Sequence, residues 1–357
     1  MKRLLKDVVV QQRSSLKLSD VAESGKYPVF GAAGLVGYRN TYQTDLPSVA
    51  IIKDGAGIGR VSLLPKNSSV LGTMQMLTPN ADVDNVFLYY YLTHLRLGKS
   101  FTGSTIPHIY FKNYGASSFS KFKHDEQVRI AIDLTNISNA IENKHVQLTM
   151  LDGLVKSRFM EMFGDPISNS KQWPTEPLSE CCKMNGIKKY PEQEKYWILN
   201  LDKIESGTGA VLAKDYASID MVGNSTFFFD ESYVLYSKLR PYLNKVALPD
   251  EPGFATTELV PLKPASYINR TFLATLLRSE SFVAWIDNTS SGAKMPRASM
   301  DSLRGFKVIV PPITLQNDFA NFVNLIDKSR FIVQSQIKDL QELLDSKMDE
   351  YFGGDEE

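Results

Sequence analysis

Two short stretches of the chain concentrate residues able to grip a polyanion. The first, KDGAGIGR (Lys53–Arg60), sets Gly55, Gly57 and Gly59 between a lysine and an arginine. Glycine permits close approach of a ligand to the main chain, and Lys53 and Arg60 would then sit on phosphates. A tight internal turn explains the same glycines, so both readings stand at this stage. The second, SKLRPYLNK (Ser237–Lys245), groups Lys238, Arg240, Tyr242, Asn244 and Lys245 with no acid among them. Arginine pairs bidentately with guanine and asparagine with adenine, while lysine holds phosphate as a point charge. A merely solvated loop is the alternative. A third pair of segments shares Gly-x-x-x-Pro: Gly103–Pro107, carrying Ser104, Thr105 and the following His108, and Gly292–Pro296, carrying Lys294 and followed by Arg297 and Ser299. The shared Gly and Pro read as framework, the differing neighbours as readers on a loop. His108 has no evident acid or metal partner and reads as a polar surface contact.

Catalytic chemistry finds little purchase. A cofactor-binding glycine loop needs a strand before it and a helix after it. Here Val61-Ser62-Leu63-Leu64-Pro65 follows, which reads as strand then turn. No Walker GxxxxGK[ST] motif occurs, and Asp165-Pro166 is followed by Ile167 rather than by the Pro-aromatic pair of adenine methyltransferases. The adjacent Cys181 and Cys182 make a poor disulfide and lack the spacing of a zinc site. They read as reduced thiols of a cytosolic protein. The opening MKRLLKDVVV is too short and broken for a signal peptide, and no later run reaches membrane-spanning length. The expectation is a chain with no catalytic residue, cofactor or metal of its own.

The elements that must position these loops show in a repeat. An offset of 189 maps Gly103 on Gly292, Pro107 on Pro296, Gln127 on Gln316, Leu151 on Leu340 and Phe163-Gly164 on Phe352-Gly353, without a gap. Upstream an offset of 185 maps Pro79 on Pro264 and Phe87-Leu88 on Phe272-Leu273. Paired Gly, Pro and Phe-Gly punctuation at one offset is the mark of duplication. Each half is then a divergent globular domain followed by a similar helix: domains over residues 1–122 and 164–312, helices over 123–163 and 313–352. Charge follows this division. Residues 1–123 carry 15 Lys+Arg against 7 Asp+Glu, while residues 313–357 carry 4 against 10. A basic first domain and an acidic final helix suggest different partners for different regions.

In the helices apolar residues alternate at four and three: Ile130, Leu134, Ile137, Ile141, Lys144, Leu148, Leu151, Val155, Arg158, Met162, and again Phe319, Val323, Ile326, Arg330, Val333, Ile337, Leu340, Leu344, Lys347, Tyr351. That is the coiled-coil repeat. The bases interrupting each stripe either fix register or snorkel. Asp125 or Thr314 would cap the starts, and Gly164 and Gly353 the ends. A rod of ~57 Å leaving domain one would reach domain two. The second helix would return antiparallel, relating the halves by a pseudo-twofold axis. The fold class expected is mixed α+β: two α/β domains joined by two long antiparallel coiled-coil helices.

With this organisation the chain resembles the specificity subunits of type I restriction–modification systems. The resemblance rests on YPVFGAAGLVGY (Tyr27–Tyr38), VAIIKDGAGIGRV (Val49–Val61) and GSTIPHIYFKNY (Gly103–Tyr114) in half one. In half two it rests on YWILNLDKIESGTG (Tyr196–Gly209), YVLYSKLRPYLNKVAL (Tyr233–Leu248) and SGAKMPRASMDSLRGFKVIVPP (Ser291–Pro312). It covers nearly the whole chain. It implies two target-recognition domains, each reading one part of a bipartite site in double-stranded DNA, and helices that act as a ruler. It implies partners too: two adenine-methylating modification subunits and a restriction/translocase subunit, with AdoMet, ATP and Mg in those chains. A cytoplasmic protein of a bacterium or archaeon is expected. A stand-alone adenine methyltransferase with a recognition domain and a coiled-coil scaffold that binds no DNA are the rival readings.

Overall fold

A computed structural model describes residues 3–55, 57–99, 101–103, 107–119, 122–290, 292 and 295–353. The chain divides into two compact units, Met1–His145 with Ser335–Glu357, and Val146–Gln334.

Unit one contains β1 (Val9–Arg13), β2 (Tyr27–Gly31), β3 (Gly34–Arg39), β4 (Ser48–Ile52), β5 (Val61–Leu64), β6 (Ser69–Val70), β7 (Met74–Pro79), α1 (Asn85–His94) and α2 (Phe111–Tyr114). It also holds the first part of α3 (His124–Phe163) and the last part of a second long helix. Its main sheet runs β1-β7-β4-β5, antiparallel throughout. All five residues of β4 are buried, as befits a strand covered on both faces. Val49 and Ile51 join a core with Phe87, Leu88 and Leu92 of α1, and Ala50 and Ile52 join Val70, Met74 and Met76 on the other side. The smaller sheet pairs β2 antiparallel with β3 and parallel with β6.

Unit two contains β8 (Thr175–Pro177), α4 (Leu178–Cys181), β9 (Cys182–Lys183), β10 (Tyr196–Leu199), β11 (Asp215–Ala217), β12 (Thr226–Phe229), β13 (Val234–Ser237), β14 (Val246–Ala247), β15 (Gly253–Thr256) and β16 (Leu259–Pro264). α5 (Arg270–Arg278), α6 (Glu280–Asp287), α7 (Met300–Gly305), β17 (Lys307–Ile309) and the first part of α8 (Ile313–Phe352) follow. The order β14-β13-β16-β9 repeats β5-β4-β7-β1 of unit one, and β10 lies parallel to β15 as β2 does to β6. The duplication read in the sequence is therefore a duplication of sheet topology. Cys181 and Cys182 are buried free thiols.

The start of each long helix is fixed by a repeated buried glutamine. Oε1 of Gln127 accepts the Asp84 N–H (3.0 Å), and Nε2 donates to the Phe122 carbonyl (3.0 Å) and the Asp82 carbonyl (3.4 Å). Gln316 does the same with Asn269 (2.8 Å), Pro311 (2.8 Å) and Tyr267 (3.1 Å). Asp84 and Asn269 in turn cap α1 and α5, accepting two backbone N–H bonds each. One side chain thus ties each long helix to the cap of the helix beneath it, satisfying buried backbone groups that would otherwise be costly.

α3 and α8 are 40 residues each, about 60 Å at 1.5 Å per residue. Within unit two they run antiparallel: Asp152 meets Arg330, and farther along Phe163 meets Phe319 at 5.5 Å. Three expectations about these helices need correction. Near the end of α3 the buried face is Val155, Phe159 and Phe163 rather than Arg158 and Met162, and α8 buries Met348 rather than Lys347. Those turns pack into a globular core, and a straight 3.6-residue face replaces the 3.5-residue seam. The starts are capped neither by Asp125 nor by Thr314, since both lie inside the helices; Glu126 accepts the Lys123 N–H (2.9 Å) instead. Gly164 takes the left-handed conformation expected past a helix end (φ 75°), but Gly353 does not. Of the interrupting bases, Arg330 pairs across to Asp152 and with Asp327 on its own helix, whereas Arg158 and Lys347 stay half-exposed and pair within their helices.

Candidate nucleic-acid interface

The first loop joins β4 to β5 as a hairpin, so the glycine run precedes a strand and not a helix. Gly55, Gly57 and Gly59 all have positive φ, between 80° and 85°. Their roles separate. A Cβ on Gly59 would lie 2.2 Å from the Gly98 nitrogen, so this glycine serves contact within the protein. A Cβ on Gly55 would meet open space, so its outer face is uncovered, while its N–H and carbonyl are bonded to Pro107 (3.1 Å) and Ile58 (3.2 Å). The Arg60 guanidinium lies over Gly57, and the residue is exposed. Lys53 is half-buried, with Nζ 3.4 Å from Asp54.

The second loop follows β13 and contains a single 3-10 turn, Pro241–Leu243, flanked by Arg240 and Asn244 at φ 50° and 51°. Left-handed backbone at two non-glycine residues is uncommon and needs surrounding support. Arg240 and Tyr242 are exposed, and the Arg240 side chain makes no hydrogen bond or ion pair among the described residues. Asn244 and Lys245 turn inward: Asn244 Nδ2 donates to the Arg278 carbonyl (2.9 Å), and Lys245 Nζ donates to the Leu201 carbonyl (2.7 Å). These two residues build the loop, which leaves Lys238, Arg240 and Tyr242 to meet a ligand.

Both loops are seated on the segments after the Gly-x-x-x-Pro pattern, through matching backbone atoms. Gly55 N–H donates to the Pro107 carbonyl (3.1 Å), as Arg240 N–H does to Pro296 (2.7 Å). Ile109 N–H donates to Lys53 (3.0 Å), as Ala298 N–H does to Lys238 (2.8 Å). Those four pairs obey the 185 and 189 offsets. Gly103 and Gly292 also share positive φ, 99° and 104°. The framework is thus common to both halves and the side chains on it differ. Ser104, Thr105 and Lys294 lie outside the described residues. Ser299 caps α7, accepting the Ser302 N–H.

The sequence concealed two partners. His108 does have an acid beside it: Nδ1 is 2.7 Å from Asp54 Oδ1. The bridge between residues 54 and 108 creates that contact, and separation along the chain hid it. At the equivalent place Arg297 forks onto Glu258 (3.0 and 3.2 Å). This hydrogen bonding, against the opposing effect of burial and with the charges of Arg297 and Lys238, holds the Glu258 carboxyl below its ordinary range. Arg278, which touches Asn244 and Val246 at the C-terminal end of the second loop, was not singled out at all. A basic residue at the end of an amphipathic helix gives no sequence signal of such a role.

Comparison with known proteins agrees with this architecture. Residues 1–149 match the family model described as the type I restriction modification DNA specificity domain. A curated relative, the type I restriction enzyme EcoDI specificity subunit of Escherichia coli, is 23% identical, covering 93% of this chain and 82% of that protein. In fold the chain is similar to the type I restriction–modification S subunit from M. genitalium, with a TM-score of 0.58, 18% identity, and coverage of 99% of this chain and 96% of that one. A chain from a structural study of assembly and conformational transition in the type I system gives the same TM-score at 11% identity, covering 99% and 98%. Over residues 1–149 the chain thus matches the type I specificity-domain model, and over nearly its whole length, with its duplicated framework and two long helices, it is similar in fold to type I restriction–modification S subunits.

Proposed function

We propose that the chain is the DNA-recognising subunit of a type I restriction–modification complex, each half reading one part of a bipartite double-stranded target, with no catalysis of its own. The observation that carries this reading is the repeated backbone seat beneath the loops at Gly55 and Arg240, identical in register and different in side chains. Such a framework presents two different surfaces in one geometry. Phosphate contacts position each domain and base-edge contacts specify sequence. In half one Lys53, Arg60 and the His108 segment take these roles, with Gly55 and Gly57 allowing close approach; in half two Lys238, Arg240, Tyr242 and Arg297 do.

The proposed domains follow the repeat: recognition over residues 1–122 and 164–312, helical spacers over 123–163 and 313–352. The helices set the gap between half-sites and dock the adenine-methylating modification subunits, two per chain. Exposed apolar residues support docking: Val146, Met150 and Leu154 on α3, and Leu325, Phe331 and Ile332 on α8. A restriction/translocase subunit completes the assembly, and AdoMet, ATP and Mg act in those partner chains. Among the described residues no helix is long and apolar enough to cross a membrane, and the proposed site of action is the cytoplasm of a bacterium or archaeon. The test is DNA binding by the chain assembled with its modification subunits, titrated with salt. A steep negative slope of log K on log salt is expected, and exchange of residues 1–122 for another family member's first domain should alter one half-site only. No salt slope, or change at both half-sites, refutes the reading.

A further inference from the structure

The two loops share a seat but not a brace. In half one the loop leans on backbone, Gly59 against Gly98. The 185 offset puts Asn244 where Gly59 stands and Arg278 where Thr93 stands. The Thr93 hydroxyl merely donates to Tyr89 in its own helix (2.8 Å). Arg278 instead clamps the C-terminal end of the loop through two arms. Its Nε donates to the Val246 carbonyl (3.0 Å), joined by Nη2, and its own carbonyl accepts from Asn244 Nδ2. The turn at Gly209 presses on the same place: a Cβ there would lie 1.8 Å from the Val246 oxygen and 2.4 Å from Arg278 Nη2.

The surroundings of Arg278 are also particular to half two. Beside it opens a cavity of about 740 Å³, lined by Asp152, Thr275, Asp327 and Arg330 among others. Half one has Tyr89-Tyr90 where half two has Ala274-Thr275. There the Tyr90 ring is buried and its hydroxyl donates to Ser138 (3.0 Å). Burial brings the Arg278 pKa down to about 10, opposed by the carboxylates of Asp327 and Asp152. The guanidinium therefore stays charged at neutral pH.

We propose that Arg278 is a positioning residue for target reading by half two: by clamping Val246 and Asn244 it fixes the left-handed backbone at Asn244, and through the turn in which Asn244 N–H donates to Pro241 (2.9 Å) and Leu243 N–H to Arg240 (2.9 Å) it aims the Arg240 side chain. The proposal rests on the reading of this loop as a DNA interface. Without the clamp, two non-glycine residues in a sparsely populated conformation relax, and Arg240 loses its fixed direction while keeping its charge. Affinity from charge then survives and discrimination does not.

The test uses the full chain assembled with its modification subunits, competed on duplexes randomised in one half-site at a time. Arg278→Lys keeps the charge but cannot fork onto one carbonyl with the same planar geometry. It should lower base preference at the second half-site by about tenfold or more, leave the first half-site within about twofold, and leave the salt slope unchanged. Asn244→Gly is the second variant: it removes the other arm of the clamp at a position whose φ glycine tolerates, so folding is retained, and it should relax the same half-site. Unchanged preference in both variants, while Arg240→Ala relaxes the second half-site, overturns the positioning role alone. An equal loss at both half-sites in Arg278→Lys overturns it too. A silent Arg240→Ala overturns the interface reading beneath it.

Discussion

Replacing Gln316 by leucine tests how strongly the long helix is tied to unit two. The side chain is fully buried and makes three hydrogen bonds to backbone groups. Leucine keeps roughly the volume and removes both polar atoms. The longest of the three bonds, to the Tyr267 carbonyl (3.1 Å), is left out of the sum because Tyr267 is itself part-exposed. The Asn269 N–H and the Pro311 carbonyl, each in a 2.8 Å bond, lose their partners. An unsatisfied buried group costs about 1–3 kcal/mol, so the substitution should cost about 2–5 kcal/mol. All three tryptophans, Trp173, Trp197 and Trp285, lie in unit two, so their emission during urea unfolding reports this unit. With m of about 2 kcal/mol per molar, the midpoint should fall by about 1–2.5 M. A shift under about 0.5 M at unchanged m would refute the reasoning. Gln127→Leu is the matched change in unit one, read by hydrogen exchange at the Asp84 amide, which should lose protection.

Lys245→Ala should leave the salt slope of DNA binding unchanged and lower stability, because its ammonium group is spent on the Leu201 carbonyl; Lys238→Ala should reduce that slope by about one unit. Titrating binding between low and moderate salt separates the two. Insertion of four residues after Leu148 lengthens α3 by about 6 Å, and methylation mapping should then find the same half-sites with a wider gap; an unchanged gap with affinity intact removes the ruler from the mechanism. The Cys181 thiol is raised to about 11 by burial first and by neighbouring carboxylates second, and burial raises Cys182 further. At pH 8 about one Cys181 in a thousand is thiolate, so mass-detected alkylation should be slow in the folded chain and rapid in denaturant.

Much of the fold was legible because duplication writes itself in punctuation. Gly103 and Gly292, Pro107 and Pro296, and Gln127 and Gln316 are each needed by a backbone arrangement, and each arrangement occurs twice. The long helices were legible from apolar spacing, but their ends were not. A seam of period 3.5 gives no warning that Phe159 and Phe163 will turn into a globular core beside Phe272. The candidate site was legible as loops and not as side-chain directions. Lys245 and Arg240 look alike in a basic string; only the fold of residues 201–204 and 296–298 turns one inward and leaves the other exposed. Asp54 and His108 sit 54 positions apart, and the register that joins them follows from strand pairing.

Phe352 packs against Phe87 at 5.2 Å and Tyr91 at 5.9 Å, and Leu344, Met348 and Tyr351 join the same core. This bears on the order in which the protein matures at the ribosome. The part of unit one that precedes Val146 has an apolar interior closed by residues 344–352, which are translated after the whole of unit two. Unit two draws on Val146–Gln334 alone and has its whole complement earlier. The half that is made first is therefore the half that is finished last. Until translation passes residue 352, Phe87 and its neighbours lack the part of their apolar cover that Phe352 supplies. A stop codon ahead of Leu344 would by the same reasoning damage unit one, most of which is encoded upstream of unit two.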